Sequence, residues 1–237
     1  MTMTEPQNHP PIHGHPPIDV VDSRVGAALY NPFTWAGEKL GMARRRRELL
    51  ADARGTVLEI GAGTGLNLPH YPTGLEELVL LEPGARMGGH IDLDRAPEGV
   101  PVRLEQAPAE YLPFEDGSFD TVVSTLVLCT VVDPQRAVAE LARVLRPGGR
   151  LLFLEHVRAE HGWRQAMQRR AVRPWAAFAD GCQCDRATVE TIEGRMRIES
   201  LDRGSWKGMP PIVKPLVWGS AVPLDEDRLG FWGPGLT

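Results

Sequence analysis

Gly61, Gly63 and Gly65 stand in the stretch LEIGAGTGLN, Leu58 to Asn67, directly after an apolar run. Missing side chains there let a ligand lie against the backbone. A loop that binds a dinucleotide is spaced G-x-G-x-x-G, its third glycine letting the next helix pack tightly on the strand, whereas this one reads G-x-G-x-G. Glu82 ends a second apolar run, ELVLLE, seventeen residues past Gly65. A carboxylate after such a run needs a partner, and this one is placed to accept both hydroxyls of a ribose. In QAPAEYLPF, the backbone and Glu110 are placed to edge an adenine. Together these residues suit a nucleoside without a pyrophosphate. His156 ends a further apolar run, RLLFLEH, and offers an acid–base group. Cys129, Cys182 and Cys184 read as small packed hydrophobes before redox groups.

These residues meet only if the elements carrying them end at one edge of a sheet. TVLEIG (56–61), ELVLLE (77–82), VPVRLE (100–105), FDTVVST (119–125) and RLLFLEH (150–156) are short runs rich in β-branched and apolar residues. Several are apolar on both faces, as strands of a helix-covered parallel sheet must be. Between the last two, DPQRAVAELARVLRPGGR places Ala137, Val138, Leu141, Val144 and Leu145 at helical spacing and closes on RPGG, which predicts a β-α-β crossover. Residues 23–53 read as helix interrupted at Pro32 and Gly37. A helix is expected over about 160–179, then strands near RMRIESLDR and VKPLVWGSAV that complete the sheet as an antiparallel pair. In an open parallel sheet, ligands bind beyond the carboxyl ends of the strands, where the glycine loop, Glu82 and QAPAEYLPF all fall.

The chain has 237 residues and 42% hydrophobic content, enough for one substantial core over 23–222, with a helical cap at 23–54 and a helical segment at 157–195. Residues 1–22 are rich in Pro and His and read as a flexible arm, and 223–237 as a tail. Prolines between His9, His13 and His15 hinder a compact metal site there. The formal charge of −5 argues against nucleic acid, and ARRRRELL (Arg44 to Arg47) reads as a solvated helix face. Three cysteines are too few for a disulfide framework or a four-thiolate zinc site, so no metal is expected and a reducing cytoplasm is. No stretch approaches the length of a membrane span or a secretory signal.

From about Val57 to His156, the motifs VLEIGAGTG, LEP, AEYLPFEDGSFDTVVS and LARVLRPGGRLLF resemble, in order and spacing, the class I S-adenosylmethionine-dependent methyltransferases of the methyltransferase type 11 group. The resemblance implies an α/β, Rossmann-like fold: a mostly parallel seven-stranded sheet, helices on both faces, and the antiparallel C-terminal pair. It implies S-adenosylmethionine as cofactor and S-adenosylhomocysteine as product. By position, Glu59, Gly61, Ala62, Gly63 and Thr64 would line the aminoacid part, with Gly65 and Asn67 in the same loop. Glu82 and Pro83 would take the ribose, Ala109 and Glu110 the adenine edge, Thr125 and Leu126 the methionine side. Tyr30, in ALYNPF, matches an N-terminal aromatic that closes over the cofactor in related enzymes. Many relatives carry Asp where Pro108 stands, so adenine recognition here would lean on the Ala109 amide and on shape.

TLVLCTV, LEHV and RPWAAFADGCQCDRAT resemble a narrower branch that includes the animal alkyl-thiol S-methyltransferases, and the likeness runs from about Tyr30 to Val222. It implies methyl transfer to a small, fairly apolar thiol, for detoxification or to cap a natural-product thiol, with 157–195 on the acceptor side. A thiol reacts as its thiolate, so His156 is the candidate catalytic base, and Trp175, Asp180 and Cys182 are the candidate substrate contacts. The animal members carry an N-terminal hydrophobic anchor that this sequence does not show, so a cytoplasmic location is expected. Two other readings stand beside this one: N-, O- or C-methylation of a phospholipid amine, phenol or quinol, and a non-catalytic regulatory module that binds the cofactor.

Overall fold

Seven strands pair into a single sheet in the computed structural model, which describes residues 22–224. The expected arm with His9, His13 and His15, and the tail beyond Leu224, lie outside the described residues. The strands are β1 (Thr56–Ile60), β2 (Glu77–Leu81), β3 (Val102–Glu105), β4 (Phe119–Thr125), β5 (Leu145–His156), β6 (Met196–Ser205) and β7 (Pro215–Pro223). Their order is β3-β2-β1-β4-β5-β7-β6. Strands β1 to β5 pair in parallel, and β7 runs antiparallel between β5 and β6, as expected from the sequence. Strand order reverses between β1 and β4, so the crevice that binds ligands in such sheets opens where β1 gives way to Gly61 and β4 ends at Thr125.

The helices are α1 (Arg24–Gly37), α2 (Ala43–Leu50), α3 (Ala85–Gly88), α4 (Pro134–Val144), α5 (Gly162–Phe178) and α6 (Thr188–Glu193). Successive strand residues point to opposite faces. Leu58, Val79, Val122, Leu151 and Phe153 therefore pack with Val138 and Leu141 of α4 and Ile192 of α6. Val57, Leu78, Leu80, Val123 and Leu152 meet Leu49 and Leu50 of α2 on the other side. Both faces are covered, which is why these strands read as nearly continuous apolar runs.

One local expectation changes. Pro32 does not interrupt α1, which runs through it: Pro32 and Ala28, the residue four before it, are both exposed, so the carbonyl left without a donor meets water. The break comes instead in the π-type segment Glu38–Met42, at Gly41 with φ 132°, and it turns α2 beneath the sheet. After the glycine loop there is no α-helix, only turns and the 3-10 segment Leu68–His70, because Pro69 and Pro72 withhold the donors a helix needs. Gly65 serves that turn, with φ 75° and a hypothetical Cβ 3.1 Å from Leu68. The ordered fold also reaches slightly past 23–222, since Arg86 Nη1 donates to the Asp22 carbonyl at 2.7 Å and Pro223 pairs with Met196.

Helix α5 is fixed by one buried amide. Gln168 of α5 accepts from Ala159 N at 2.7 Å and donates to the carbonyls of Cys184 and Ile212, both at 2.8 Å. It thereby ties α5 to the end of β5 and to two loops. Gln168→Ala leaves these buried groups without partners and is expected to cost about 2–4 kcal/mol in urea-unfolding stability, measured on the full chain.

Candidate active site

The glycine loop rests on a buried polar network. Glu59, near the end of β1, accepts from Asn67 Nδ2 at 2.9 Å and from the Tyr71 hydroxyl at 2.7 Å. Asn67 Nδ2 also donates to Thr125 Oγ1 at 3.0 Å, while its carbonyl oxygen accepts from Arg46 Nη1 at 2.8 Å. Arg46 then pairs with Glu38 at 3.1 Å. Burial pushes Glu59 up to about 7, against the Tyr71 and Asn67 hydrogen bonds and the nearby Arg46 charge. Arg46 is only 3% exposed, so the solvated-face reading of Arg44 to Arg47 is corrected at that residue. The signal was present: Met42, Arg46, Leu49 and Leu50 share one helical face at i, i+4, i+7 and i+8.

Above this network lies a cavity of about 720 Å³ at the strand ends, lined by Tyr30, Gly61, Gly63, Glu82, Pro83 and Leu126 among others. Pro108, Ala109, Glu110 and Thr125 also line it, as do His156, Trp175, Asp180 and Cys182. A small adjoining cavity is bordered by Tyr30, Glu59, Ala62, Thr64, Asn67 and Thr125. Every predicted site residue lines one or the other except Gly65. Glu82 accepts from Gly63 N at 2.8 Å and Gly84 N at 2.9 Å, each oxygen keeping a lone pair, and burial raises it above the ordinary carboxylate range despite those two amides. One oxygen of the Glu110 carboxylate accepts from Val132 N at 2.8 Å and Asp133 N at 3.2 Å and braces the approach to α4.

Helix α1 roofs the cavity. Asn31 accepts from Thr64 Oγ1 at 2.6 Å, and burial pushes the Tyr30 hydroxyl up to about 12. A Cβ built on Gly26 would stand 1.6 Å from Asp180, so the carboxylate after α5 is seated against the α1 backbone, where only glycine leaves room. Phe33 of α1 meets Trp175 and Phe178 of α5, with ring centroids 6.1 and 5.7 Å away. Leu126, a bulky residue at φ 61°, holds a left-handed turn directly after β4. Such a conformation costs about 1–3 kcal/mol and clusters at functional sites.

Under this roof, three side chains converge that sequence spacing does not link. Cys182 Sγ lies 2.9 Å from His156 Nε2 and 3.8 Å from Cys129 Sγ, and it accepts from Trp175 Nε1 at 3.3 Å. The Cys129 hydrogen bond, with help from His156 and Trp175, outweighs burial and lowers Cys182 to about 4. Cys129 is raised in turn, first by that hydrogen bond and then by burial. Burial alone would lower His156, but the neighbouring Cys182 outweighs it and raises the imidazole. His156 Nδ1 is buried without a partner among the described residues. With Nε2 held by Cys182, neither nitrogen is presented to an acceptor as a free base. Cys184 stands apart, in the core on the α2 face.

Residues 58–153 match the family model for a methyltransferase domain. Over 200 residues the chain is 34% identical to a thiol S-methyltransferase of Homo sapiens, TMT1B, covering 76% of this chain and 79% of that protein. The chain belongs to the class I S-adenosylmethionine-dependent methyltransferases. This methyltransferase is also 37% identical, over 143 residues, to a phosphatidylethanolamine N-methyltransferase of Cereibacter sphaeroides, covering 55% of this chain and 65% of that one. A solved S-adenosylmethionine-dependent methyltransferase from Thermotoga maritima superposes with a TM-score of 0.60 at 21% identity, over 84% of this chain and 96% of its own, which bears on the fold alone.

The methyl donor of the methyltransferase is S-adenosylmethionine, and the strand ends fit it. A Cβ on Gly63, at φ 59°, would find no neighbouring atom nearer than 3.9 Å, so the loop is open toward a ligand, not filled by the protein. When bound, the cofactor supplies a methyl group already activated on a sulfonium. Arg46, Tyr71 and Glu38, which brace the loop, and Cys129, beside Cys182, are the residues that sequence reasoning missed. Cys129 and Cys182 are 53 positions apart, so only the fold makes them neighbours.

Proposed function

We propose that this methyltransferase transfers the cofactor's methyl group to the sulfur of a small, apolar thiol. The observation that carries the reading is the pairing of an apolar, aromatic wall, Phe33, Trp175, Phe178 and Val213, with the Cys129–His156–Cys182 cluster in one cavity. An apolar thiol fits that wall, and the cluster offers polar groups to its sulfur. The similarity to a human thiol S-methyltransferase over most of both chains supports the same acceptor class.

On this reading Glu82 and Pro83 hold the ribose, Ala109 and the cavity shape around Pro108 hold the adenine, and Gly61, Gly63, Thr125 and Leu126 flank the methionine part. Tyr30 and the helical cap over 23–54, with α1 as its roof, exclude water, which strengthens every polar contact inside. His156 acts through its contact with Cys182 in the cavity wall, not as a free general base. Displacement at an activated methyl needs alignment more than acid–base machinery, so few such groups suffice. Free cysteines and the absence, among the described residues, of a helix long and apolar enough to cross a membrane go with a cytoplasmic enzyme for a small molecule.

A panel of alkyl thiol, amine, phenol and quinol acceptors, scored by mass spectrometry for methylated product, tests the acceptor. The thiol is expected to dominate, and His156→Ala is expected to lower thiol turnover at least about tenfold while cofactor affinity by calorimetry stays within about twofold. Preferential methylation of an amine would instead favour the reading that the Cereibacter sphaeroides relative supports.

Glu59 gives a pH test of the donor side. With its carboxyl raised to about 7 by burial, the free protein holds Glu59 largely protonated at mildly acidic pH. The ammonium of the cofactor's aminoacid part favours the ionised form, so binding releases a proton below that value and none well above it. Cofactor affinity is therefore expected to rise between about pH 6 and about pH 8, and Glu59→Gln to flatten the slope, both read by calorimetry.

A further inference from the structure

Cys129 lies in the turn after β4, His156 is the last residue of β5, and Cys182 follows α5. Their ligating atoms all fall within 4.8 Å of one another. Around a tetrahedral zinc ion, with bonds of about 2.3 Å to sulfur and about 2.0–2.1 Å to nitrogen, two sulfurs stand about 3.8 Å apart and a sulfur and nitrogen about 3.6 Å. The two sulfurs here are 3.8 Å apart. The 2.9 Å between Cys182 Sγ and His156 Nε2 would open by less than about 1 Å, within reach of small side-chain rotations. Two thiolates and an imidazole select a soft or borderline cation such as zinc over magnesium or calcium.

The set has three ligands, and all three side chains line the large cavity. A structural zinc site is closed by a fourth protein ligand, whereas a catalytic one keeps that position for water or substrate. Cys184, the obvious fourth thiol, points elsewhere, its Sγ 3.8 Å from the Gln168 carbonyl. Trp175 Nε1 donates to Cys182 Sγ at 3.3 Å, the kind of outer contact that orients a ligating group.

We propose that Cys129, His156 and Cys182 bind a zinc ion whose open fourth position takes the acceptor thiol as its thiolate. The acceptor half of this inference rests on the thiol reading above; the metal half does not. A thiol that coordinates zinc is deprotonated outright, so the nucleophile forms at neutral pH without a free base. That matches a histidine with neither ring nitrogen presented to the acceptor. The step balances without a redox partner. The S–H proton leaves to solvent as the thiol coordinates, and a sulfur lone pair then forms the new S–CH3 bond. The methyl–sulfonium bond of the donor breaks and its electron pair stays on S-adenosylhomocysteine. The neutral thioether is a poorer ligand than the thiolate and departs, leaving the ion in place.

The test uses the full chain, purified with a non-chelating reductant from zinc-supplemented medium. Elemental analysis is expected to give one zinc per chain. The metal-free protein titrated with cobalt(II) is expected to show the visible bands of a tetrahedral site and a sulfur-to-cobalt charge-transfer band in the near ultraviolet. Cys129→Ser and Cys182→Ser should each weaken or abolish these bands while still binding S-adenosylhomocysteine in calorimetry, and Cys184→Ser should keep them. With S-adenosylhomocysteine bound, an added alkyl thiol should shift the visible bands. Absence of both zinc and cobalt bands in the wild-type protein overturns the metal site whether or not the variants fold. Full-rate thiol methylation by metal-free protein overturns its role in the reaction yet leaves the thiol reading intact. Cobalt bands that no thiol moves, together with methylation of another acceptor, overturn the thiol reading and with it the fourth position.

Discussion

Glu59 is a carboxylate buried beneath a ligand loop, and its pairing through Asn67 with Arg46 is the interaction on which the site depends. A buried charge left unpaired costs several kcal/mol, and a buried guanidinium has the same need. Each meets it through the other's neighbours: Arg46 reaches Glu38 at the kink after α1, Asn67 reaches Thr125 at the end of β4, and Tyr71 completes Glu59. One network therefore fixes the end of β1, the end of β4 and the entry to α2. The glycine loop lies on top of it with little side-chain bulk of its own.

The same network sets where α1 lies. Because the kink at Gly41 is anchored through Glu38, α1 passes over the strand ends and reaches Thr64 through Asn31, Arg86 through the preceding Asp22, and Asp180 through the gap that Gly26 leaves. The helix that covers the donor loop thus also contacts the far wall from α5, where Phe33 meets Trp175 and Phe178. Donor loop and Cys129–His156–Cys182 cluster become walls of one cavity under one roof. A reaction that needs in-line alignment and exclusion of water is served by that enclosure more than by any single side chain.

The strands were legible because a sheet covered on both faces is apolar along most of its central strands, as in VLEI of β1, LVLL of β2, VV of β4 and LLFL of β5. The donor loop was legible because close approach of a ligand requires Gly61 and Gly63. Less visible were features whose meaning depends on exposure: Pro32 sits harmlessly on the solvent side of α1, and Pro69 and Pro72 replace the helix that usually follows such a loop with a tight turn. Arg46 was hidden among four arginines although its spacing from Met42 and Leu49 marked the buried face. His156 and Cys182 were read as site residues, but their convergence with Cys129 was not legible, since the three come from three elements and a count of thiols alone argues against a metal. Its position at the strand ends is a product of topology.

The central proposal is that the methyl donor and the Cys129–His156–Cys182 cluster face each other within one cavity. A crystal structure of the full chain with S-adenosylhomocysteine measures this directly. The account predicts the ribose hydroxyls on Glu82 and the homocysteine sulfur turned toward Cys182 and His156, with only the space for an acceptor sulfur and methyl group between them. A homocysteine sulfur directed away from the cluster, or an intervening protein wall, would contradict it.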